Sequence, residues 1–306
     1  MQPYRSPHER EARLDTLARA AGADTAVIGE SVDGAPIRAA RIANAGAPKV
    51  LCCANIHGPE YVGAEVALGL LERLAAPEGE IAKLRERAEI WIVPCVNPDG
   101  YRRTWDREGK GTLAALRTNA RGVDLNRNFP LPGGALRRSA PGAGSQRHGD
   151  ATYCGPAPLS EPETRAIAEL AATQRFHASA NLHSFMGTLI PARVTDRDAY
   201  STYRDLCRAF VSAQSHTRYH RVASRVFDVF TGEQEDHLHH ALACWSICVE
   251  TFPVAASLRQ HLRAPSLFWR FNPRDPARWI ENVVPGLVRY FLTALDLRAP
   301  PLPAPA

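Results

Sequence analysis

Two histidines and two glutamates stand at the ends of predicted buried strands. In chain order they are His57, Glu60, His183 and Glu250. Histidine and carboxylate side chains are zinc ligands, and a catalytic zinc typically takes three protein ligands and a water. A carboxylate that is not bound to the metal can act as the general base toward that water. These residue types therefore fit metal-assisted hydrolysis, although HxxE alone is a weak motif.

A sheet must bring these side chains together. Apolar runs predict strands at 25–43 (two strands joined by Asp33-Gly34), Lys49–Ile56, Glu89–Val96, Ala178–His183 and Trp245–Val249. Helical spacing predicts helices at Glu9–Ala21, Tyr61–Ala75, Glu161–Gln174 (with a capping box from Ser160 to Glu163), Ala199–Ala213 and Ala277–Leu295. The alternation of strands and helices favours one mixed α/β domain, and ligands bind beyond the carboxyl ends of parallel strands in such folds.

Two segments are predicted to lie outside the regular elements. Asn97–Gly100 reads as a turn that ends a strand. Leu131–Pro158 is a long insert rich in Gly, Pro and Ser, of the kind that is functional or disordered in compact domains. We expect residues 1–296 to form the domain and the proline-rich tail 297–306 to be disordered.

Composition excludes several classes of protein. The net charge is only +5, from 37 basic and 32 acidic residues. The basic residues are scattered, so the sequence shows no basic patch of the kind that binds nucleic acid. No apolar run reaches the length of a membrane span, and the N-terminus lacks the apolar segment of a signal peptide. The seven cysteines show no CxxC spacing and are expected to be reduced core thiols. We therefore expect a cytoplasmic protein.

Several motifs, taken in order, resemble the zinc carboxypeptidases of the M14 type over nearly the whole chain. They are GESVDGAPI at 29–37, HGPE at 57–60, VPCVNPDG at 93–100, GVDLNRNFP at 122–130, YCGPAPLSEPET at 153–164, NLHS at 181–184 and the glutamate of CVETFP at 250. The resemblance implies an α/β fold with a central mixed, twisted sheet flanked by helices. It also implies a zinc site at the strand ends.

The resemblance also assigns the catalytic roles. The ligands of one Zn²⁺ per chain would be His57, Glu60 and His183. Glu250 would be the general base. Arg117 would polarise the scissile carbonyl and stabilise the oxyanion, with Arg121 as the alternative, because the segment before GVDLNRNF varies in length within the family.

Substrate recognition is assigned to a carboxylate site and an acidic loop. Asn126 and Arg127 would bind a free carboxylate of the substrate, since arginine offers a bidentate fork to that group. Peptide-trimming relatives carry a capping tyrosine about twenty residues before the general base, whereas Tyr219 of this chain lies further upstream. The corresponding loop instead contains Glu233, Glu235 and Asp236. We expect one of them, Glu235, to pair with a cationic group of the leaving residue; the alternative is a solvated acidic turn.

Within the family the chain is most similar to bacterial murein peptide amidases, which cut between γ-D-glutamate and diaminopimelate. The short form GVDLNRNFP, preceded by RTNA and followed by SEPET, supports this hypothesis. The expected partner is a small peptide with a free carboxylate, not a nucleic acid or a membrane. The alternatives are a conventional metallocarboxypeptidase, an N-acyl amino acid deacylase and a zinc-binding protein without turnover.

Overall fold

In the part of the chain that the structure, a computed structural model, describes, all the strands belong to one sheet. The structure describes residues 1–133, 135, 137, 142–226, 229–253 and 258–301. The strands in these ranges are β1 Asp24–Glu30, β2 Pro36–Ile42, β3 Lys49–Ala54, β4 Glu89–Val93, β5 Ala178–Ser184, β6 Thr188–Pro191, β7 His220–Arg221 and β8 Trp245–Thr251. Their order across the sheet is β1-β2-β4-β3-β5-β8-β6-β7. The α/β fold with a central mixed sheet is thus confirmed.

The centre of the sheet is parallel and its margins are largely antiparallel. Strand β3 pairs in parallel with β4 and β5, and β5 pairs in parallel with β8. Antiparallel pairs join β1 to β2, β2 to β4 and β6 to β8. Because β3, β5 and β8 run in parallel, their carboxyl ends meet at one edge of the sheet. The register places His183 opposite Glu250 and Asn181 opposite Cys248.

Helices cover both faces of the sheet. They are α1 Pro7–Ala21, α2 Tyr61–Ala75, α3 Gly79–Arg87, α4 Pro98–Asp106, α5 Leu113–Arg117, α6 Pro162–Gln174, α7 Arg197–Ser212, α8 Gln234–Leu242, α9 Leu258–Arg263, α10 Phe268–Phe271 and α11 Pro276–Leu295, with a short 3-10 helix at Leu125–Arg127. Alternate residues of β3 enter two separate cores: Val50 and Cys52 pack with α2 and α11, whereas Leu51 and Cys53 pack with α6 and α8. A strand buried on both faces reads as a continuous apolar run, which is why β3 was predictable.

The predicted strands and helices are confirmed to within a few residues at their ends, except at two helix starts. Residues 134, 136 and 138–141 of the predicted insert lie outside the described residues. Asn97–Gly100 does not simply end a strand, because Pro98 opens α4 and the Asn97 side chain caps it by accepting the Gly100 N–H at 2.8 Å. The predicted capping box at Ser160 is wrong. Glu161 is the N-cap of α6, and the Ser160 hydroxyl instead donates to the Glu161 side chain at 2.7 Å.

The remaining predictions concern cysteines and termini. All seven cysteines are buried and unpaired, as expected. Among the described helices none is long and apolar enough to cross a membrane. Residues 302–306 of the predicted disordered tail lie outside the described residues, and just before them the Arg298 carbonyl accepts a hydrogen bond from Trp245 at 2.9 Å. The domain limit at residue 296 stays a prediction.

Candidate metal centre and active site

Three side chains converge at the carboxyl edge of the sheet. Nδ1 of His57 lies 3.0 Å from one Glu60 oxygen, and Nδ1 of His183 lies 3.1 Å from the other. The two Nδ1 atoms are 3.1 Å apart, and all three side chains are buried. Two imidazole nitrogens and a carboxylate that lie this close together fit a cation, and two histidines with one glutamate are a known ligand set of catalytic zinc.

The charges around this point suit a metal ligand set. Burial disfavours the charged form of Glu60, yet the neighbouring His57 and His183 hold the pKa of that carboxyl well below its usual range. Burial lowers the pKa of His183, which favours the neutral imidazole. An ionised carboxylate and neutral histidine are the forms that bind a metal.

Close backbone packing fixes the turn that carries His57 and Glu60. The Asn55 side chain, on a residue with φ of 53°, donates to the His57 carbonyl at 3.1 Å. The Gly58 N–H donates to the Arg117 carbonyl at 3.2 Å. A Cβ at Gly58 would lie 2.3 Å from the Leu116 carbonyl oxygen, so only glycine fits.

Asp124, to which the sequence analysis assigned no role, supports this ligand set. Its Oδ1 lies 3.1 Å from Nε2 of His57, and its Oδ2 accepts a hydrogen bond from Nε of Arg117 at 2.9 Å. Burial opposes ionisation, but Arg117 and His57 hold the pKa of Asp124 well below its usual range. The sequence contained Asp124 within the GVDLNRNFP motif, but its contact with the far nitrogen of His57 is visible only in the structure.

Glu250 lies beside the candidate ligands because of strand register. It pairs with His183 across β5 and β8, and both line a cavity of about 350 Å³. Its Oε2 is buried without a hydrogen-bond partner in the described part of the chain. Burial and then the nearby Glu60 raise the pKa of Glu250 well above its ordinary value. A carboxyl with a raised pKa suits proton transfer near neutral pH.

The structure brings Arg117 into the cavity and leaves Arg121 outside its lining. Nη1 of Arg117 is 3.8 Å from Glu60, and its side chain is 15% exposed. The Arg121 side chain is 55% exposed and faces Glu161 at 3.7 Å. Of the two candidates for the oxyanion arginine, the geometry favours Arg117.

Arg127 also lines the cavity, but it already has acceptors. Its Nη1 donates to Oε1 of Glu233 at 3.1 Å and to the Asn126 carbonyl at 2.6 Å, and its Nε donates to the Gly142 carbonyl of the insert at 2.7 Å. Asn126 accepts the Gln234 N–H through its side chain at 2.9 Å. The two predicted carboxylate binders are thus tied to the acidic loop.

The three acidic residues of that loop occupy different environments. Glu233 pairs with Arg127, and Asp236 accepts the Arg193 N–H at 2.7 Å. Glu235 is buried, and neither of its carboxylate oxygens makes a hydrogen bond with good geometry to the described residues. Burial and then Glu233 raise the pKa of Glu235 to about 7. The alternative of a solvated acidic turn is therefore wrong for Glu235.

Glu235 lies close to the zinc-site residues. One ligand atom from each of Glu235, His183 and Cys248 lies within 4.8 Å of the others. Glu235 itself is buried behind the residues that line the cavity, and Tyr219 is not a lining residue either. The Tyr219 hydroxyl accepts the Phe252 N–H at 3.4 Å. Tyr219 is not placed as a capping tyrosine in this structure.

Fold and site together define a candidate metal centre at the strand ends of a mixed α/β sheet. A model of the zinc carboxypeptidase family (Peptidase_M14) matches residues 11–256. The chain belongs to this family. Zinc is the metal of the family, and His57, Glu60 and His183 are the candidate ligands.

Individual relatives match part of their length. Carboxypeptidase D of Mus musculus is 29% identical over 282 residues, covering 83% of this chain and 18% of that protein. The catalytic chain of carboxypeptidase N of Rattus norvegicus is 35% identical over 149 residues, covering 44% of this chain and 31% of that protein. The chain thus spans less than a third of the length of these relatives.

Solved structures share the fold. Bovine thrombin-activatable fibrinolysis inhibitor, in complex with tick carboxypeptidase inhibitor, superimposes with a TM-score of 0.75 at 18% identity, covering 96% of this chain and 98% of that one. A metallo-carboxypeptidase from Pseudomonas aeruginosa, in complex with (2-guanidinoethylmercapto)succinic acid, superimposes with a TM-score of 0.63 at 22% identity. The match covers 94% of this chain and 68% of that one. At these identities the likeness shows the fold alone.

Proposed function

We propose that this protein is a zinc-dependent hydrolase that releases a terminal residue carrying both a free carboxylate and a cationic group. The observation that supports this specificity is Glu235, a buried carboxyl close to His183 whose polar neighbours are the uncharged side chains of Asn126 and Asn181 and which has no cationic partner among the described residues. Burial opposes the ionised form of this carboxyl, and a hydrogen-bonded cation would stabilise that form. An ammonium or guanidinium of the substrate would supply it.

The candidate residues divide the chemistry among them. Zinc, when bound, acts as a Lewis acid and activates a water molecule. Glu250 takes the proton from the attacking water and passes it to the leaving amine. Arg117 donates to the carbonyl oxygen as negative charge develops on it, a contribution typically worth about 3 kcal/mol. Asp124 holds His57 and Arg117 in place for these steps.

Two groups would recognise the leaving residue. Arg127 and Asn126 bind its carboxylate, and Glu235 binds its cationic end. The Pseudomonas aeruginosa structure was solved with a compound whose name combines a guanidino group with succinic acid, a dicarboxylic acid. That pairing of charges is the one we propose for the substrate of this chain.

Two kinds of substrate meet this description. Diaminopimelate has an ammonium and a carboxylate at its far end, so a cytoplasmic murein peptide amidase cutting after γ-D-glutamate is our first candidate. The second is a conventional carboxypeptidase that removes a terminal lysine or arginine, and membership of the zinc carboxypeptidase family favours it equally. The seven unpaired cysteines support the proposed cytoplasmic location, because cytosolic thiols stay reduced.

A mass-spectrometric cleavage assay tests the proposal. Zinc-loaded protein is incubated with L-Ala-γ-D-Glu-diaminopimelate and with peptides that end in lysine, arginine, glutamate or leucine. Release of diaminopimelate alone establishes the amidase, and release of lysine or arginine establishes the basic carboxypeptidase. Cleavage of only the leucine or glutamate peptides would refute the role of Glu235. The Glu235→Gln variant is the matched control, since it removes the charge and keeps the shape.

A further inference from the structure

Arg127, to which the proposed function assigns the substrate's carboxylate, already binds a carboxylate of its own chain. Its Nη1 donates to Oε1 of Glu233 at 3.1 Å, and both side chains line the zinc cavity. We infer that Glu233 is a built-in competitor for the substrate's carboxylate and thereby determines which peptides bind. This inference rests on the proposed role of Arg127 in the same site.

Backbone contacts hold Glu233 opposite Arg127. On one side of Glu233, the Gly232 carbonyl accepts the Phe129 N–H at 3.1 Å. On its other side, the Gln234 N–H donates to the Asn126 side chain at 2.9 Å. The loop that carries Glu233 is thus anchored on both sides to the segment that carries Arg127.

Gly232 makes this close approach possible. It has a φ of +86°, and a Cβ there would lie 2.7 Å from the Arg127 carbonyl oxygen and 2.9 Å from that of Phe129. The Arg137 side chain of the insert reinforces the contact, since it donates to the carbonyls of Arg127 and Thr231. The ion pair is therefore a consequence of how the loop packs and not of one side-chain rotamer alone.

The Arg127–Glu233 ion pair weakens the binding of some substrates more than that of others. The two side chains are 13% and 26% exposed, so water screens their attraction only in part. A substrate carboxylate must displace Glu233 or bind beside it, against the repulsion of like charges. A substrate with a cationic side chain offers the displaced Glu233 a new partner, whereas an apolar one does not. Glu233 thus disfavours apolar terminal residues most.

The first test compares wild type with Glu233→Gln in steady-state kinetics. The substrates are blocked dipeptides ending in leucine and in lysine, and the dipeptide ending in leucine amide is added as a competitive inhibitor. We expect KM for the leucine acid to fall about fivefold in the variant, with a smaller fall for the lysine acid and kcat within about twofold. The inhibition constant of the amide should not change, because the amide has no carboxylate for Arg127 to bind. An unchanged or raised KM for the leucine acid, or an equal fall in the inhibition constant of the amide, would overturn the inference.

Two variants control for charge and for folding. Glu108→Gln removes one exposed carboxylate that pairs with Lys110, and it should leave every KM unchanged. Arg127→Gln combined with Glu233→Gln should show no fall in KM for the leucine acid, because that fall requires the free guanidinium of Arg127. A lower KM that persists in this double variant would show that the effect does not come from the Arg127–Glu233 ion pair.

Calorimetric titration of succinate into the zinc-loaded proteins separates this inference from the proposed function. Tighter succinate binding by Glu233→Gln without cleavage of any peptide would uphold the competitor and refute the proposed function. Suppose instead that wild type cleaves the peptides, but Glu233→Gln neither binds succinate more tightly nor has a lower KM. That result would support the proposed function and refute the competitor. Failure of both readouts would reject both.

Discussion

The Asp124 carboxylate lies 3.1 Å from Nε2 of His57, the ring nitrogen opposite the one that faces Glu60 and His183. The same carboxylate accepts a hydrogen bond from Arg117 at 2.9 Å. One buried aspartate therefore orients a candidate zinc ligand and the candidate oxyanion arginine together. Partners of this kind fix the ring orientation of a metal-binding histidine and increase its basicity.

Replacing Asp124 should weaken metal binding. We expect Asp124→Asn to lower zinc affinity by about 10- to 100-fold, because the amide is a weaker acceptor for the His57 N–H. Competition with a chromogenic chelator measures this. Asp99→Asn is the matched control, since Asp99 is as buried but accepts from Ser31 at 2.8 Å and from the Asp33 backbone. Equal zinc affinity in both variants would contradict the role of Asp124.

Removing the arginine of the cavity should slow the chemical step. We expect Arg117→Ala to lower kcat about 100-fold or more while zinc remains bound, because an electrostatic donor to the transition state is lost. Arg121→Ala, which changes an exposed side chain, should stay within about twofold of wild type. Measured kcat and zinc content decide between them, and the reverse ranking would transfer the role to Arg121.

Selectivity for a cationic residue should increase with pH. Burial raises the pKa of Glu235 to about 7, so its carboxylate forms as the pH rises through that value, while a lysine side chain (pKa about 10.4) stays charged. The ratio of kcat/KM for a terminal lysine to that for norleucine should rise up to about tenfold from pH 6 to pH 8. The ratio cancels ionisations common to both substrates. It should be flat in Glu235→Gln, and a flat ratio in wild type would argue against this pairing.

The glycine of HGPE should be required for packing. A Cβ at Gly58 would meet the Leu116 carbonyl at 2.3 Å and the Gly100 backbone at 2.7 Å. Gly58→Ala should therefore lower the free energy of unfolding by about 1–3 kcal/mol and disturb the turn that carries His57. Denaturant titration measures it against Gly133→Ala, where a Cβ meets nothing within 4 Å. Equal stability of the two variants would show that the turn can shift without cost.

The strand ends were predictable because buried strands have a direct sequence signal. After Lys49, strand β3 is an unbroken apolar run, so the position of His57 just beyond it followed from the pattern. The neighbouring positions of His183 and Glu250 depend on the register of β5 and β8, which the motif order implied but the residues alone did not specify.

Contacts between distant loops could not be predicted from the sequence. Glu233 and Arg127 are 106 positions apart, and their ion pair depends on the anchoring around Gly232. The burial of Glu235 likewise comes from helix α8 packing against β5 and β8, and not from its acidic neighbours. Helix α4 was missed because proline after asparagine suits a turn as well as a first helical turn, and its buried face includes Asp99 and Thr104.

Zinc content and turnover, measured on the same preparations of wild type and Glu250→Gln, test the central claim most directly. The account predicts about one zinc per chain in both proteins. It predicts peptide cleavage by wild type alone, because Glu250 transfers the proton without holding the metal. A wild-type protein that binds no zinc, or a Glu250→Gln variant that cleaves at the wild-type rate, would contradict the assignment of this site.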